Sequence, residues 1–273
     1  MAPLKLMAVL AHPDDESLGF GGTLAKYASE GVDVFVLTAT RGDAGRYRGH
    51  PPEHEAHPGP RALAAIREGE LRAAAGVLGV RELVLLDYHD QQLDSAAPGD
   101  VIDVIARHIR RIRPDVVLTF GPDGAYGHPD HIAISQFATA AIVSAAAHAQ
   151  PPDPARPPHV VSKLYYLAWP ATAWAAYEAA FRRLISTVDG NARQATPWPE
   201  WALTTVIDTR AFWPSVWQAI SCHASQVAAY ERLRDVAPEH HEALWGWQSF
   251  YRVFSTVNGG RVRETDLFEG IQR

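Results

Sequence analysis

Short, almost uninterrupted apolar runs alternate with longer amphipathic stretches through the first half of the 273-residue chain, and this alternation restricts the fold more than any other feature. LMAVL ends at Leu10, VDVFVLTAT covers 32–40, LVLLD covers 83–87 and DVVLTF covers 115–120. Helical patterns lie between them. One begins near Ser17, where Leu18, Gly21, Ala25 and Ala28 recur at helical spacing until Glu30-Gly31 breaks it; a second crosses 61–78, and VIDVIARHIRRI forms a third at 101–112. Strands apolar on both faces need a sheet covered by helices on both sides, which is the parallel-sheet arrangement. The expected fold is therefore α/β: a three-layer, Rossmann-like architecture with a mostly parallel central sheet and a smaller C-terminal α+β portion. With 47% hydrophobic residues and no charged or low-complexity linker, the chain reads as a single domain over 1–273.

Open sheets of this kind take ligands beyond the carboxyl ends of their strands. Two such ends carry unusual residues. In AHPDDESLGFGGT, residues 11–23, His12 stands two residues past an apolar run and is followed by Asp14, Asp15 and Glu16. Like charges at the edge of a core repel one another and resist desolvation unless a cation compensates them. In GPDGAYGHPDH, residues 121–131, Pro129 suits the first turn of a helix, which places His128 at or near the cap and His131 within that turn. Solvent-facing turn histidines are the plain alternative for this pair. Two histidines and one aspartate drawn from separate strand ends make a catalytic type of zinc site, with one position open for water. Fe2+ suits the same mixed donors.

Asp14 and Asp15 are adjacent and cannot present the same geometry to one ion, so one ligates while the other hydrogen-bonds the attacking water. A developing oxyanion then has His128 or the Tyr126 hydroxyl as a donor. Asp130 is placed either to orient the His128 ring or to cap the following helix, and both readings stay open. Glu16 reads as a partner of His12 or, more simply, as an acidic residue in a helix first turn. Gly19, Gly21 and Gly22 do not form G-x-G-x-x-G, and no P-loop occurs, so NAD and ATP are disfavoured and close helix packing is the expected use of these glycines.

AHPDDE followed by HPDH resembles the zinc-dependent deacetylase family that includes the N-acetylglucosaminyl-phosphatidylinositol deacetylases, the LmbE-like proteins, and the mycothiol-pathway deacetylase and conjugate amidase. The resemblance is strong from the first strand through the helix after His131 and extends loosely to CHASQV at 222–227. It implies that His12, Asp15 and His131 hold one Zn2+ per chain and that Asp14 is the general base. It also implies that His128 supports the transition state or protonates the leaving group, that Tyr126 is a mobile tyrosine, and that Arg67, within AIREGELRAAAGVLGV, lies near the substrate sugar. The implied activity is removal of an N-acyl group, in the first instance acetyl, from an N-acetylglucosamine-type amino sugar or sugar conjugate. An amidase cleaving a larger thiol-sugar conjugate is the alternative, and a non-catalytic metal-dependent carbohydrate-binding protein the more distant one. On this resemblance residues 1–150 form the catalytic core and 160–273 the substrate-cleft portion.

The remaining features set boundaries. A formal charge of -6 and a pI near 6.1 give no general pull toward nucleic acid or an anionic membrane. Cys222 is the sole cysteine, which excludes an intrachain disulfide or a Cys-rich metal site. The first ten residues lack a signal-peptide pattern, so the cytoplasm is the expected compartment, with a small-molecule amino sugar as partner and the oligomeric state left open. IAISQFATAAIVSAAAHA, residues 132–149, reads as a packing helix rather than a bilayer span, and PPDPARPP at 151–158 as the connection that ends it. His50, His54 and His57, with Arg46 and Arg48, fall in an irregular loop at 44–60 that is expected to recognise the substrate without binding a second metal. Arg67 has an ion pair with Glu70 or another carboxylate as its alternative. Asp90 reads as a strand-end turn residue, His223 and Gln226 as helix residues that either pack or reach the site, and most C-terminal tryptophans as packing residues.

Overall fold

The computed structural model describes residues 2–147, 156–180, 185–188, 190–226, 237–260 and 262–272. The apolar runs become the strands β1 (Lys5–Leu10), β2 (Asp33–Thr40), β3 (Glu82–Tyr88) and β4 (Val116–Thr119), joined by β5 (Lys163–Leu167). These five are parallel, in the spatial order β3-β2-β1-β4-β5. Later segments supply a hairpin, β6 (Ile185–Val188) and β7 (Asn191–Gln194), and the strands β8 (Thr205–Asp208) and β9 (Trp247–Ser255). β9 runs antiparallel against β5, and β8 antiparallel against β9, so the C-terminal strands extend the same sheet to seven.

The chain builds outward from β1 through β2 to β3, then returns across β1 to lay down β4 and β5. Because crossovers are right-handed, this reversal puts the connecting helices on opposite faces. α2 (Gly21–Ser29) and α3 (Pro60–Val77) pack with α8 (Trp213–Cys222), whereas α4 (Pro98–Ile112) packs with α6 (Pro129–Ala146). α4 buries Val101, Ile105, Ala106, Ile109 and Ile112, a one-sided stripe at helical spacing. α6 is buried along most of its length, as a packing helix should be, and no helix among the described residues is long and apolar enough to cross a membrane. Residues 151–155 of the proline-rich connection lie outside the described residues.

The helix expected from Ser17 is two pieces, a single turn α1 (Asp15–Leu18) and then α2, with the break at Gly19-Phe20, where Phe20 leaves helical geometry at φ -125° and ψ -6°. A Cβ on Gly22 would stand 2.8 Å from Thr209 Cβ, and one on Gly21 would stand 3.2 Å from Val216 Cγ2. The glycines do serve close packing, but against α8 and the segment before it. A second cluster, Trp174, Tyr177, Val216, Ile220 and Trp245, gathers the C-terminal aromatics, while Trp201 is 86% exposed.

The C-terminal extension is tied in by charge. Lys163 Nζ donates to Glu264 Oε1 at 2.8 Å, and Glu264 also accepts from Tyr165 and Thr205 at 2.8 Å, Asn258 at 2.8 Å and Arg252 at 2.7 Å. Burial alone would raise the Glu264 pKa; these donors outweigh it and hold it down to about 2, below its ordinary 4.5. The folded value lies below the unfolded one, so the stabilisation is complete above pH 4.5 and is lost as pH falls toward 2. Glu264→Ala is expected to cost about 3–5 kcal/mol in urea unfolding at neutral pH by stranding Lys163, and to flatten the acid limb of the stability profile.

Candidate metal centre

β1 and β4 are neighbours at the point where strand order reverses, with Leu6 opposite Val116 and Ala8 opposite Leu118. The residues just past their carboxyl ends therefore meet, although more than one hundred positions separate them in sequence. His128 caps α6, Pro129 opens it, and His131 points back from the first turn with its ring stacked on Phe120 at 4.0 Å. His12 Nδ1 lies 3.1 Å from His131 Nε2 and 3.7 Å from Asp15 Oδ2, and His131 Nε2 lies 3.3 Å from Asp15 Oδ1. All three residues are buried. A tetrahedral zinc with ligand bonds of about 2.0–2.1 Å sets its donors about 3.3 Å apart; the two imidazole nitrogens stand near that spacing, and Asp15 presents a different oxygen to each of them.

The carboxylate of Asp15 is held well below its usual range: burial opposes this, and the His131 and His12 rings prevail. Its Oδ2 also accepts the backbone N–H groups of Ala11 and His12, at 3.1 and 2.7 Å. On the far edge of His12, Nε2 lies 3.0 Å from Asp130 Oδ2 and 3.0 Å from Asp90 Oδ1. Burial of His12 disfavours a proton, but Asp130 and Asp90 overcome it and raise the pKa well above 6.5. A field that favours a proton also favours a divalent cation, and an Nε2–H given to a carboxylate leaves the Nδ1 lone pair for the ion.

Asp130 thus departs from both sequence readings. Its carboxylate turns to His12 and accepts from the Gln91 and Leu93 backbone N–H groups at 2.7 and 3.1 Å. The contact with His128 runs the other way, since His128 Nδ1 accepts the Asp130 backbone N–H at 3.2 Å. That bond assigns the proton of neutral His128 to Nε2. Burial, then the neighbouring His12 and His131, push the His128 pKa down to about 3. Asp90, read as a turn residue, is instead a buried partner of His12.

Asp14 sits beside Asp15 in a left-handed backbone conformation, φ 105°, that a non-glycine residue adopts at a cost. Burial raises its pKa, Asp15 and Glu16 add to that, and Arg67 opposes it. Arg67 is 4% exposed. Its guanidinium lies 3.3 Å from Asp14 Oδ2, donates to the Gly42 carbonyl at 3.1 Å, and donates to the Pro13 carbonyl. Thus Arg67 pairs with Asp14 rather than with Glu70, which binds Ser225 N–H and Oγ at 2.6 and 2.7 Å. Glu16 does not touch His12 in the way considered above; it accepts the Asp14 backbone N–H at 2.9 Å and pairs with His223 Nε2 at 2.8 Å. The Tyr126 ring stands 5.3 Å from His131 and 5.8 Å from His128, centroid to centroid, on a turn where Ala125 has φ 63°. Burial, with Asp15 and Asp14, keeps its phenol protonated.

The profile of the PIG-L family, GlcNAc-PI de-N-acetylase, matches residues 7–142. Over 299 residues the chain is 38% identical to 1D-myo-inositol 2-acetamido-2-deoxy-alpha-D-glucopyranoside deacetylase of Rhodococcus opacus (strain B4), spanning 99% of each. The chain belongs to the PIG-L family. Among solved structures, the PIG-L fold here is similar to N,N'-diacetylchitobiose deacetylase from Pyrococcus horikoshii, with TM-score 0.65, 22% identity, and 91% of this chain and 83% of that one covered. It is also similar to GalB, the 4-carboxy-2-hydroxymuconate hydratase from Pseudomonas putida KT2440, with TM-score 0.69, 20% identity, and 94% and 99% covered.

The loop at 44–60 is anchored to the C-terminal CHASQV segment of this PIG-L chain. Arg48 N–H donates to the Ser225 carbonyl at 2.6 Å, and Gln226 Nε2 to the Arg46 carbonyl at 2.8 Å. Within it the His50 and His54 rings stack at 4.1 Å, and His57 Nε2 lies 3.1 Å from the Gly45 carbonyl. Among the described residues, two groups bring one donor atom from each member close enough to share a metal ion, His12 with His128 and His131, and His12 with Asp90 and Asp130; neither includes Asp15, and none draws on this loop. Asp130→Asn is expected to weaken metal affinity roughly 10–100-fold in competition with a chelator, because a single amide oxygen cannot serve the His12, Gln91 and Leu93 donors that the two carboxylate oxygens share. Unchanged affinity would remove Asp130 from the metal's support.

Proposed function

We propose that the chain is a zinc-dependent N-deacetylase acting on an N-acetylglucosamine-type sugar joined to a further polyhydroxylated group. The observation that carries this reading is the unequal placement of two adjacent aspartates, Asp15 between the His12 and His131 rings and Asp14 turned to the Arg67 guanidinium. The Rhodococcus opacus relative, a deacetylase of a 2-acetamido sugar of myo-inositol, supports the substrate class. On this reading His12, Asp15 and His131 hold one zinc, and Fe2+ satisfies the same donors. The ion supplies polarisation of the amide carbonyl and a lowered pKa for adjacent water.

The chain's own residues do the rest. The Asp14 carboxylate accepts a proton from water as its oxygen attacks the amide carbon, and its raised pKa suits both taking that proton and giving it back. His128, neutral with its proton on Nε2, and the protonated Tyr126 hydroxyl donate to the developing oxyanion. Asp14 then returns the proton to the amide nitrogen as the C–N bond breaks, leaving acetate and a free sugar amine. Arg67 steadies Asp14 from behind, and the loop at 44–60 contacts the sugar's substituent. Residues 1–150 hold the catalytic groups on this reading, and 160–273 close the cleft.

Zinc-loaded protein incubated with N-acetylglucosamine, its glycosides and N-acyl conjugates is expected to release acetate and amine in equal amounts, most efficiently from a substituted sugar. Release of a cysteine conjugate in place of acetate would favour the larger-amide reading, and no hydrolysis of any member would reject both. Asp14→Asn is expected to retain zinc while losing at least roughly 100-fold in kcat. Asp15→Asn is expected to lose zinc itself, and the reverse pattern would exchange the two roles.

A further inference from the structure

His223 and Glu16 are both fully buried, yet neither touches the three ligand atoms nor the oxyanion donors described above. Glu16 is a hub. Its Oε2 accepts the Asp14 backbone N–H at 2.9 Å, and its Oε1 meets His223 Nε2 at 2.8 Å and the Ser17 hydroxyl. Burying an ionised carboxylate with a histidine is costly unless both are paired, and this pair spans 207 positions of sequence. The backbone it grips is the strained one: Asp14 carries φ 105°, and such conformations persist only where their surroundings over-determine them. Arg67 supplies the opposing grip through the Pro13 carbonyl and Asp14 Oδ2. His223 is the C-cap of α8, and two residues on, Ser225 is bonded to Glu70 of α3.

We propose that His223 is a positioning residue, which through Glu16 locks the Asp14 backbone in its left-handed conformation and so aims the Asp14 carboxylate at the reacting water rather than at the ion. This rests on the deacetylase reading given above. Nε2–H of His223 donates to Glu16 Oε1, which fixes the carboxylate plane and turns Oε2 to the Asp14 N–H. Without that donor Glu16 Oε1 keeps only the Ser17 hydroxyl, the carboxylate plane is no longer fixed, Asp14 relaxes toward an ordinary backbone conformation, and its side chain leaves the attack line. The metal ligands are held by other bonds, Asp15 by the Ala11 and His12 N–H groups and His12 by Asp130 and Asp90.

Zinc-loaded His223→Ala is expected to lose at least roughly 10-fold in kcat, with KM and zinc affinity within about twofold of wild type. His223→Gln, whose amide N–H still reaches toward Glu16, is expected to recover most of that loss. In an Asp14→Asn background His223→Ala should cost nothing further, because the residue it positions no longer acts as a base. Additive losses in the double variant, or wild-type kcat in His223→Ala, overturn the proposal. If His223→Ala does not fold, Glu16→Gln serves, since one amide oxygen cannot accept as two carboxylate oxygens do; it too should lower kcat at constant zinc affinity, and wild-type kcat there overturns the lock. Amide hydrogen exchange of the 11–18 peptide reads the same lock without turnover. Faster exchange in His223→Ala, restored in His223→Gln, is the expected result, and unchanged exchange is the contrary one. Failure of the wild type to release acetate would sink the deacetylase reading while this exchange experiment still decides the lock.

Discussion

The pairing of β1 with β4 is the constraint on which the rest depends. Strand order reverses there, so no helix covers the gap above the two carboxyl ends, and the segments leaving them turn toward each other. His12 and Asp15 arrive from one strand end, and His128, Asp130 and His131 from the other. Shifting either strand by one register would move a ligand by about 3.3 Å, which is the whole separation between the donors. The buried apolar runs that pin this register are thus part of the metal centre.

Around that gap, five buried or half-buried carboxylates are divided among four cationic or imidazole partners, His12, His131, Arg67 and His223. Asp15 faces two imidazoles, Asp130 and Asp90 share the outer edge of His12, Asp14 faces Arg67, and Glu16 faces His223. The arrangement separates tasks that the sequence places side by side. Within three consecutive residues, one acid meets the ligand donors, one meets a guanidinium and has its protonated form favoured, and one is turned away from the site to hold the backbone. Such separation requires a sharp turn, and the left-handed Asp14 supplies it.

The same architecture occurs in a protein described as a deacetylase and in one described as a hydratase. Fold alone therefore does not settle the reaction. What distinguishes a chain of this fold is the set of side chains above the strand ends and the loops that border them. Here those loops are stitched to the C-terminal third: Ser225 binds both Glu70 and Arg48, and Gln226 binds the Arg46 carbonyl. The loop at 44–60, the helix α3 and the His223–Glu16 pair behind Asp14 are consequently joined through one short segment after α8.

Much of this was legible in the sequence, for a definite reason. Apolar periodicity fixes which segments are strands and helices, because burial acts on each residue locally; Leu10 ends β1 and Pro129 opens a helix where the pattern places them, while β4 stops at Thr119, one residue before Phe120. The placement of AHPDDE and HPDH just past strand ends likewise marks their histidines and carboxylates as neighbours, and His12, Asp15 and His131 do meet. Partner choice inside the site was not legible. Asp130 turning to His12 instead of His128, Asp90 joining it, Arg67 gripping Asp14, and Glu16 pairing with His223 all depend on side-chain directions across 53 to 207 positions of separation that no local pattern encodes. By itself the sequence determined the layers of the fold and the chemical elements of the site, because hydrophobic burial and ligand chemistry are properties of residue types. Only the tertiary structure decided which carboxylate answers which cation, because that choice is settled by distance and desolvation once the strands have packed.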